Sequence, residues 1–174
     1  MSGDQDKASA SPELDGEGLR IGVVRARWNP DIVERLLDGV RRGLSRLGVA
    51  DEDVVEISVP GSFELPMGAR ILATSNEVDA VICLGSVIRG ETSHYELVAG
   101  ESAAGIQEVQ LSTGVPVAFG VLTTEDVDQA LARSEGPGGH NVGEDAAVVA
   151  VEMARLAEAH PPGARRAAGV IGFR

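Results

Sequence analysis

The chain is 174 residues long, 43% of them hydrophobic, with a formal charge of −12, which allows one well-buried core but is short for two independent domains. That excess of acid opposes a phosphate backbone and excludes a general nucleic-acid-binding role, because no concentrated basic face offsets it. Lys7 is the only lysine, and its place in a polar tail argues against enzymes that form a Schiff base on their own ε-amine, pyridoxal phosphate enzymes among them.

Residues 1–18 (MSGDQDKASASPELDGEG) hold too little apolar surface to offset the entropy of ordering them, and are predicted to be a disordered acidic tail. They also lack the basic and apolar regions of a secretory signal. The folded domain is predicted over residues 19–160 and opens with the β-branched run LRIGVVRA. Trp28-Asn29-Pro30 follows, with Asn29 placed to cap a helix that Pro30 begins. Ile32, Val33, Leu36, Leu37, Val40, Leu44 and Leu47 recur at spacings of three and four, one apolar face over about four turns, and Gly48 closes it. VVEISV predicts a second strand, LPMGARILATS a second helix, and VDAVICLGSVI a third strand apolar enough to be buried on both faces. Cys83, the single cysteine, falls inside that run; this suits a buried thiol in the reducing cytoplasm and excludes an intrachain disulfide.

A third helix is predicted from Tyr95 to about Ser112. Its small residues Ala99, Gly100, Ala103, Ala104 and Gly105 permit close contact, either with this chain's own layers or with another subunit. VPVAFGVL predicts a fourth strand, EDVDQALAR a short helix, GEDAAVVAVEMARLAEA a last amphipathic helix, and residues 161–174 a peripheral tail. No run approaches the roughly 20 apolar residues of a membrane span, so a soluble protein with no membrane partner is expected. The alternation specifies the α/β class: a three-layer α/β/α sandwich on a four-stranded parallel sheet, in the flavodoxin-like order 2-1-3-4.

Ligands of such sheets bind beyond the carboxyl ends of the strands, which directs attention to Trp28 and Asn29, Gly61 to Glu64, Gly85 to His94, and Thr123 to Asp126. An exposed Trp28 would stack on a flat heterocycle; a buried one would staple the first helix. Gly61, Ser62 and Gly90 suit backbone lying against a ligand, as well as ordinary tight turns. In IRGETSHYE, Gly90, Thr92 and Ser93 offer amide and hydroxyl donors at a helix N-terminus, a setting that favours an anion such as phosphate. His94, next in line, is placed either to move protons near neutral pH or simply to cap the helix. Neither His140 nor His160 has metal-ligand spacing, so no metal site is expected, and no dinucleotide or NTP loop is present.

Five blocks in order, RWNPDIVERLLDG, VPGSFELP, GSVIRGETSHYELV, PVAFGVLTTEDVDQALAR and GGHNVGEDAAVVAVEMA, closely resemble the lumazine synthase family over nearly all of Leu19 to Ala159. The resemblance implies a transferase of riboflavin biosynthesis that condenses 5-amino-6-(D-ribitylamino)uracil with 3,4-dihydroxy-2-butanone 4-phosphate, releasing phosphate and water. It also implies riboflavin synthase as the pathway neighbour. The resemblance implies that Trp28 stacks on the uracil with Asn29 nearby, and that Gly61, Ser62, Phe63 and Glu64 meet the ribityl chain and ring. It further implies backbone contacts from Val87 and Ile88, a phosphate cradle of Gly90, Glu91, Thr92 and Ser93, and His94 as the proton-transfer residue. Phe119 and Arg133 are implied to reach into the site of an adjacent subunit, Arg133 as a second catalytic group on the phosphate. No cofactor or metal is implied, since the substrate's own amine is the nucleophile.

One position departs from the family: the lysine or histidine common shortly after the asparagine of the last glycine-rich loop is Val142 here. That loop, SEGPGGHNVG, is also about one residue longer than in shell-forming members, which favours a pentamer over a decamer or 60-mer. Two other readings remain at this point, a non-catalytic lumazine- or flavin-binding paralogue and a structural shell protein.

Overall fold

The structure, a computed structural model, describes residues 14–161. Nearly all of the expected tails, residues 1–13 and 162–174, therefore lies outside the described residues.

The chain alternates strand and helix as far as β4, after which two helices follow in succession: β1 (Ile21–Ala26), α1 (Pro30–Arg46), β2 (Val54–Val59), α2 (Leu65–Ala73), β3 (Ala80–Ile88), α3 (His94–Thr113), β4 (Val117–Thr124), α4 (Val127–Leu131) and α5 (Val142–Ala159). All strand pairs are parallel, in the order β2-β1-β3-β4, the arrangement expected from the sequence. β3 is buried along its length, ending at half-buried Ile88, because helices cover both faces of a central strand. Ala80, Ile82 and Leu84 of β3 join α1 and α5 in one core, and Val81, Cys83 and Val87 join α2 and α3 in the other. The alternation of faces along one strand thus divides the interior into two layers. Gly43 lets α1 close on α5, since a Cβ there would lie 2.7 Å from the Ala147 Cβ.

The small residues of α3 do different jobs. Gly105 lies against α2, where a Cβ would come within 2.6 Å of Pro66, so it serves contact inside the chain. Gly100 has nothing within 4 Å of where its Cβ would be.

Residues 14–18, expected to belong to the tail, are held in place. Gly16 donates its amide to the Leu47 carbonyl at 2.6 Å, and Arg155 of α5 donates to the carbonyls of Asp15 and Glu17 at 2.8 and 2.6 Å. Leu14 packs on the α1–α5 core. The polar composition of these residues hid the partner, which lies about 140 residues along the chain.

Candidate functional site

The connection leaving β1 runs to β2 on one side of the sheet and the connection leaving β3 runs to β4 on the other, so the strand order reverses between β1 and β3. The carboxyl ends of β1 and β3 therefore flank the crevice where such sheets take ligands. A cleft of about 690 Å³ lies there, within the range of small-molecule sites.

Trp28 leaves β1 and stays 73% exposed over Gly61, where a Cβ would stand 3.1 Å from the indole Cδ1. It lines the cleft and does not staple α1. Asn29 adopts the left-handed conformation at φ 54°, ψ 55°. It does not cap α1 with its side chain as the sequence suggested; its Nδ2 donates to the Ser86 carbonyl at 2.8 Å. That bond ties the exit of β1 to the end of β3. Asparagine is among the few residues that tolerate this backbone, at a cost of order 1 kcal/mol.

The second wall is the 3-10 turn Ser62–Glu64 between β2 and α2. Glu64 accepts the Gly61 amide on Oε2 at 2.9 Å, which fixes its carboxylate over the turn. Ser62 is buried against β3, and only glycine fits opposite it, because a Cβ at Gly85 would lie 2.5 Å from the Ser62 Oγ. Gly85 to Ile88 prove to be the last residues of β3, so the loop after that strand begins at Arg89.

The third wall runs from that loop into α3. Gly90, Thr92 and His94 line the cleft, with His94 as the first residue of the helix. Around them Arg89 makes a three-way clamp. Its Nε meets the Glu125 carboxylate at 2.8 Å, its Nη1 meets Glu96, and its guanidinium lies 4.1 Å from the centre of the Tyr95 ring. The hydrogen bond from Arg89 holds the Glu96 carboxylate below its ordinary range.

Of the residues singled out from the sequence, the cleft gathers Trp28, Asn29, Gly61, Ser62, Phe63, Glu64, Val87, Ile88, Gly90, Thr92 and His94. Glu91 and Ser93 belong to the same loop but are exposed outside its lining. Phe119 and Arg133 stand apart from the cleft of their own chain. Phe119 is 42% exposed on β4, and Arg133 donates to the Gln129 carbonyl at 2.9 Å just past α4. Val142 donates its amide to the Arg133 carbonyl at 2.9 Å and packs against the α1–α5 core.

Sequence reading covered Ser86 only within the Gly85 to His94 segment and missed Tyr95, Leu97 and Val98 in the lining. The pattern held a hint of these three: Tyr95 and Val98 are three apart on the first turn of α3, and Leu97 stays exposed beside them. Among the described residues, the lining includes no lysine or arginine.

The family described as 6,7-dimethyl-8-ribityllumazine synthase matches residues 18–158. A protein of that name from Paraburkholderia phytofirmans is 53% identical over 148 residues, 85% of this chain and 85% of that protein. Those of Burkholderia multivorans and Paraburkholderia phymatum are similar at 52% over 145 residues and 51% over 148 residues. The first covers 83% of this chain and 81% of its own length, the second 85% and 83%.

Proposed function

Because the chain belongs to the 6,7-dimethyl-8-ribityllumazine synthase family, we propose that its cleft condenses 5-amino-6-(D-ribitylamino)uracil with 3,4-dihydroxy-2-butanone 4-phosphate. The products are the lumazine, inorganic phosphate and water. The observation that carries this reading is one cleft holding both kinds of recognition group: Trp28 and Glu64 for a polyhydroxylated heterocycle, and Gly90, Thr92 and His94 for a phosphate ester.

In this reading the indole of Trp28 stacks on the uracil, the backbone at Val87 and Ile88 pairs with the ring's polar edge, and Ser62, Phe63 and Glu64 meet the ribityl chain, whose hydroxyls donate to the carboxylate. The substrate's amine attacks the ketone to form the imine with loss of water. Phosphate then leaves, with its charge received by the donors of the Gly90–Ser93 turn at the mouth of α3. His94 moves protons between the reacting atoms. Ring closure expels a second water. Most of the acceleration comes from holding two substrates in register, which requires no enzyme nucleophile.

A dianionic leaving group needs a cation, and the lining lacks a fixed one. The reading supplies it as the partner subunit's Arg133, whose fork suits phosphate, with the partner subunit's Phe119 closing the rim. Two unlike apolar flanks support such an assembly. Phe63, Met67 and Ile71 are exposed on the α2 side, and Leu111, Phe119, Met153 and Leu156 on the β4 side. Contact between different surfaces is heterologous and gives a ring where the rotation from copy to copy closes; a pentamer is favoured. No helix among the described residues is long and apolar enough to cross a membrane, and buried Cys83 suits a reducing cytoplasm.

The test is turnover of both substrates by the purified protein, followed by lumazine absorbance and phosphate release, beside His94→Ala and Arg133→Ala. We expect the first variant to retain a reduced rate and the second to need far more phosphorylated ketone. Product binding with no turnover by the wild type would favour a non-catalytic binding protein instead.

A further inference from the structure

The turn that offers donors to the phosphate has little of its own to hold it. Gly90 has open space where a Cβ would be, Glu91 to Ser93 are exposed, and the internal bond from the His94 amide to Thr92 Oγ1 is long at 3.4 Å. A flexible segment of this kind loses binding energy to ordering unless something outside it fixes its ends.

Arg89 meets that need from both sides. Its backbone amide donates to the Thr124 carbonyl at 2.8 Å, anchoring the start of the turn to β4. Its side chain crosses the turn to Tyr95 and Glu96 at the far end, and reaches sideways to Glu125. Glu125 is tied in turn to α4, since its amide donates to Gln129 Oε1 at 3.1 Å. Two carboxylates occupy the guanidinium, so Arg89 is committed to the clamp and is not available as a phosphate ligand; it lies outside the lining of the cleft.

We propose that Arg89 is a positioning residue for the phosphate site: by gripping Glu96, Glu125 and the Tyr95 ring together, it holds the Gly90–Ser93 turn in the shape that receives the phosphorylated ketone. The assignment of phosphate to that turn rests on the functional reading above. Planar, forked geometry suits the role, because a guanidinium presents its donors in a fixed plane that also stacks on an aromatic ring, whereas an ammonium is a compact point charge on a flexible stem.

The experiment compares wild type, Arg89→Ala, Arg89→Lys and the double variant Glu96→Gln with Glu125→Gln. Steady-state kinetics are measured with each substrate varied, binding of inorganic phosphate is measured by calorimetry, and Tm is measured for each protein. For Arg89→Ala and the double variant we expect KM for the phosphorylated ketone and Kd for inorganic phosphate to rise about tenfold, the scale of losing one well-placed hydrogen bond to a charged group. KM for the aminouracil and Tm should stay near the wild-type values, and Arg89→Lys should recover only part of the loss. Unchanged phosphate affinity in Arg89→Ala overturns the proposal, as does a uniform loss on both substrates with a lowered Tm. A wild type that does not turn over, yet binds inorganic phosphate with an affinity that falls in Arg89→Ala, refutes the functional reading and leaves the clamp standing.

Discussion

Asn29 offers the sharpest link between backbone strain and the site, through replacement by alanine and by glycine. Alanine loses the bond to the Ser86 carbonyl, worth about 1 kcal/mol for a carbonyl left without its donor. It must also adopt φ 54° without the local hydrogen bonding that lets asparagine do so, a further cost of about 1 kcal/mol. The sum, about 2 kcal/mol, corresponds to a fall in Tm of roughly 4–8 °C for a domain of this size. Glycine loses the same bond but escapes the strain, and the extra freedom of its unfolded chain removes only part of that advantage. The expected order is therefore wild type, then Asn29→Gly, then Asn29→Ala, with glycine ahead of alanine by up to about 0.5 kcal/mol. Urea denaturation followed by far-ultraviolet circular dichroism measures it. Glycine falling below alanine, or alanine matching wild type, refutes the argument that strain and the Ser86 bond share the cost.

Three other outcomes are expected. Trp28→Ala should raise KM for the aminouracil about tenfold or more, the loss of roughly 1.5 kcal/mol of stacking, while barely moving Tm because the indole is 73% exposed; a Tm drop without a KM change would contradict the stacking role. Val142→Lys should lower KM for the phosphorylated ketone by adding a cation beside Arg133, to which residue 142 is hydrogen-bonded; an unchanged or higher KM sinks that idea. The Cys83 thiol, pushed up by complete burial, should resist alkylation in the native protein and react only as the chain unfolds; labelling at the rate of a free thiol would show that β3 opens far more easily than its packing implies.

What the sequence made legible follows from how local each signal is. The three- and four-residue spacing from Ile32 to Leu44 marks the buried face of α1, and the run around Cys83 can be buried on both sides only in a central strand, so element types and sheet class were readable. Places beyond strand ends were readable too, because they follow from parallel topology. The cap assigned to Asn29 failed because its acceptor, the Ser86 carbonyl, lies 57 residues away, and local propensity takes no account of such a competitor. Residues 14–18 were misread for the same reason, with Arg155 supplying their partners from α5. The Arg89 clamp was equally hidden, since Glu96 and Glu125 are brought together only by the pairing of β3 with β4. Phe119 and Arg133 were named through family resemblance alone, and the fold of one chain leaves them outside its own cleft.

The central claim, one site built from two subunits, is tested most directly by complementation. At a phosphorylated-ketone concentration well below the KM of the Arg133→Ala variant, Arg133→Ala chains and chains carrying Glu64→Ala with His94→Ala are each expected to be nearly inactive. Dissociated and reassembled together in equal amounts, they should regain roughly a quarter of wild-type activity, because in a heterologous ring about one site in four then pairs an intact cleft with an intact partner arginine. Mixed assemblies no more active than the two parents would contradict the account.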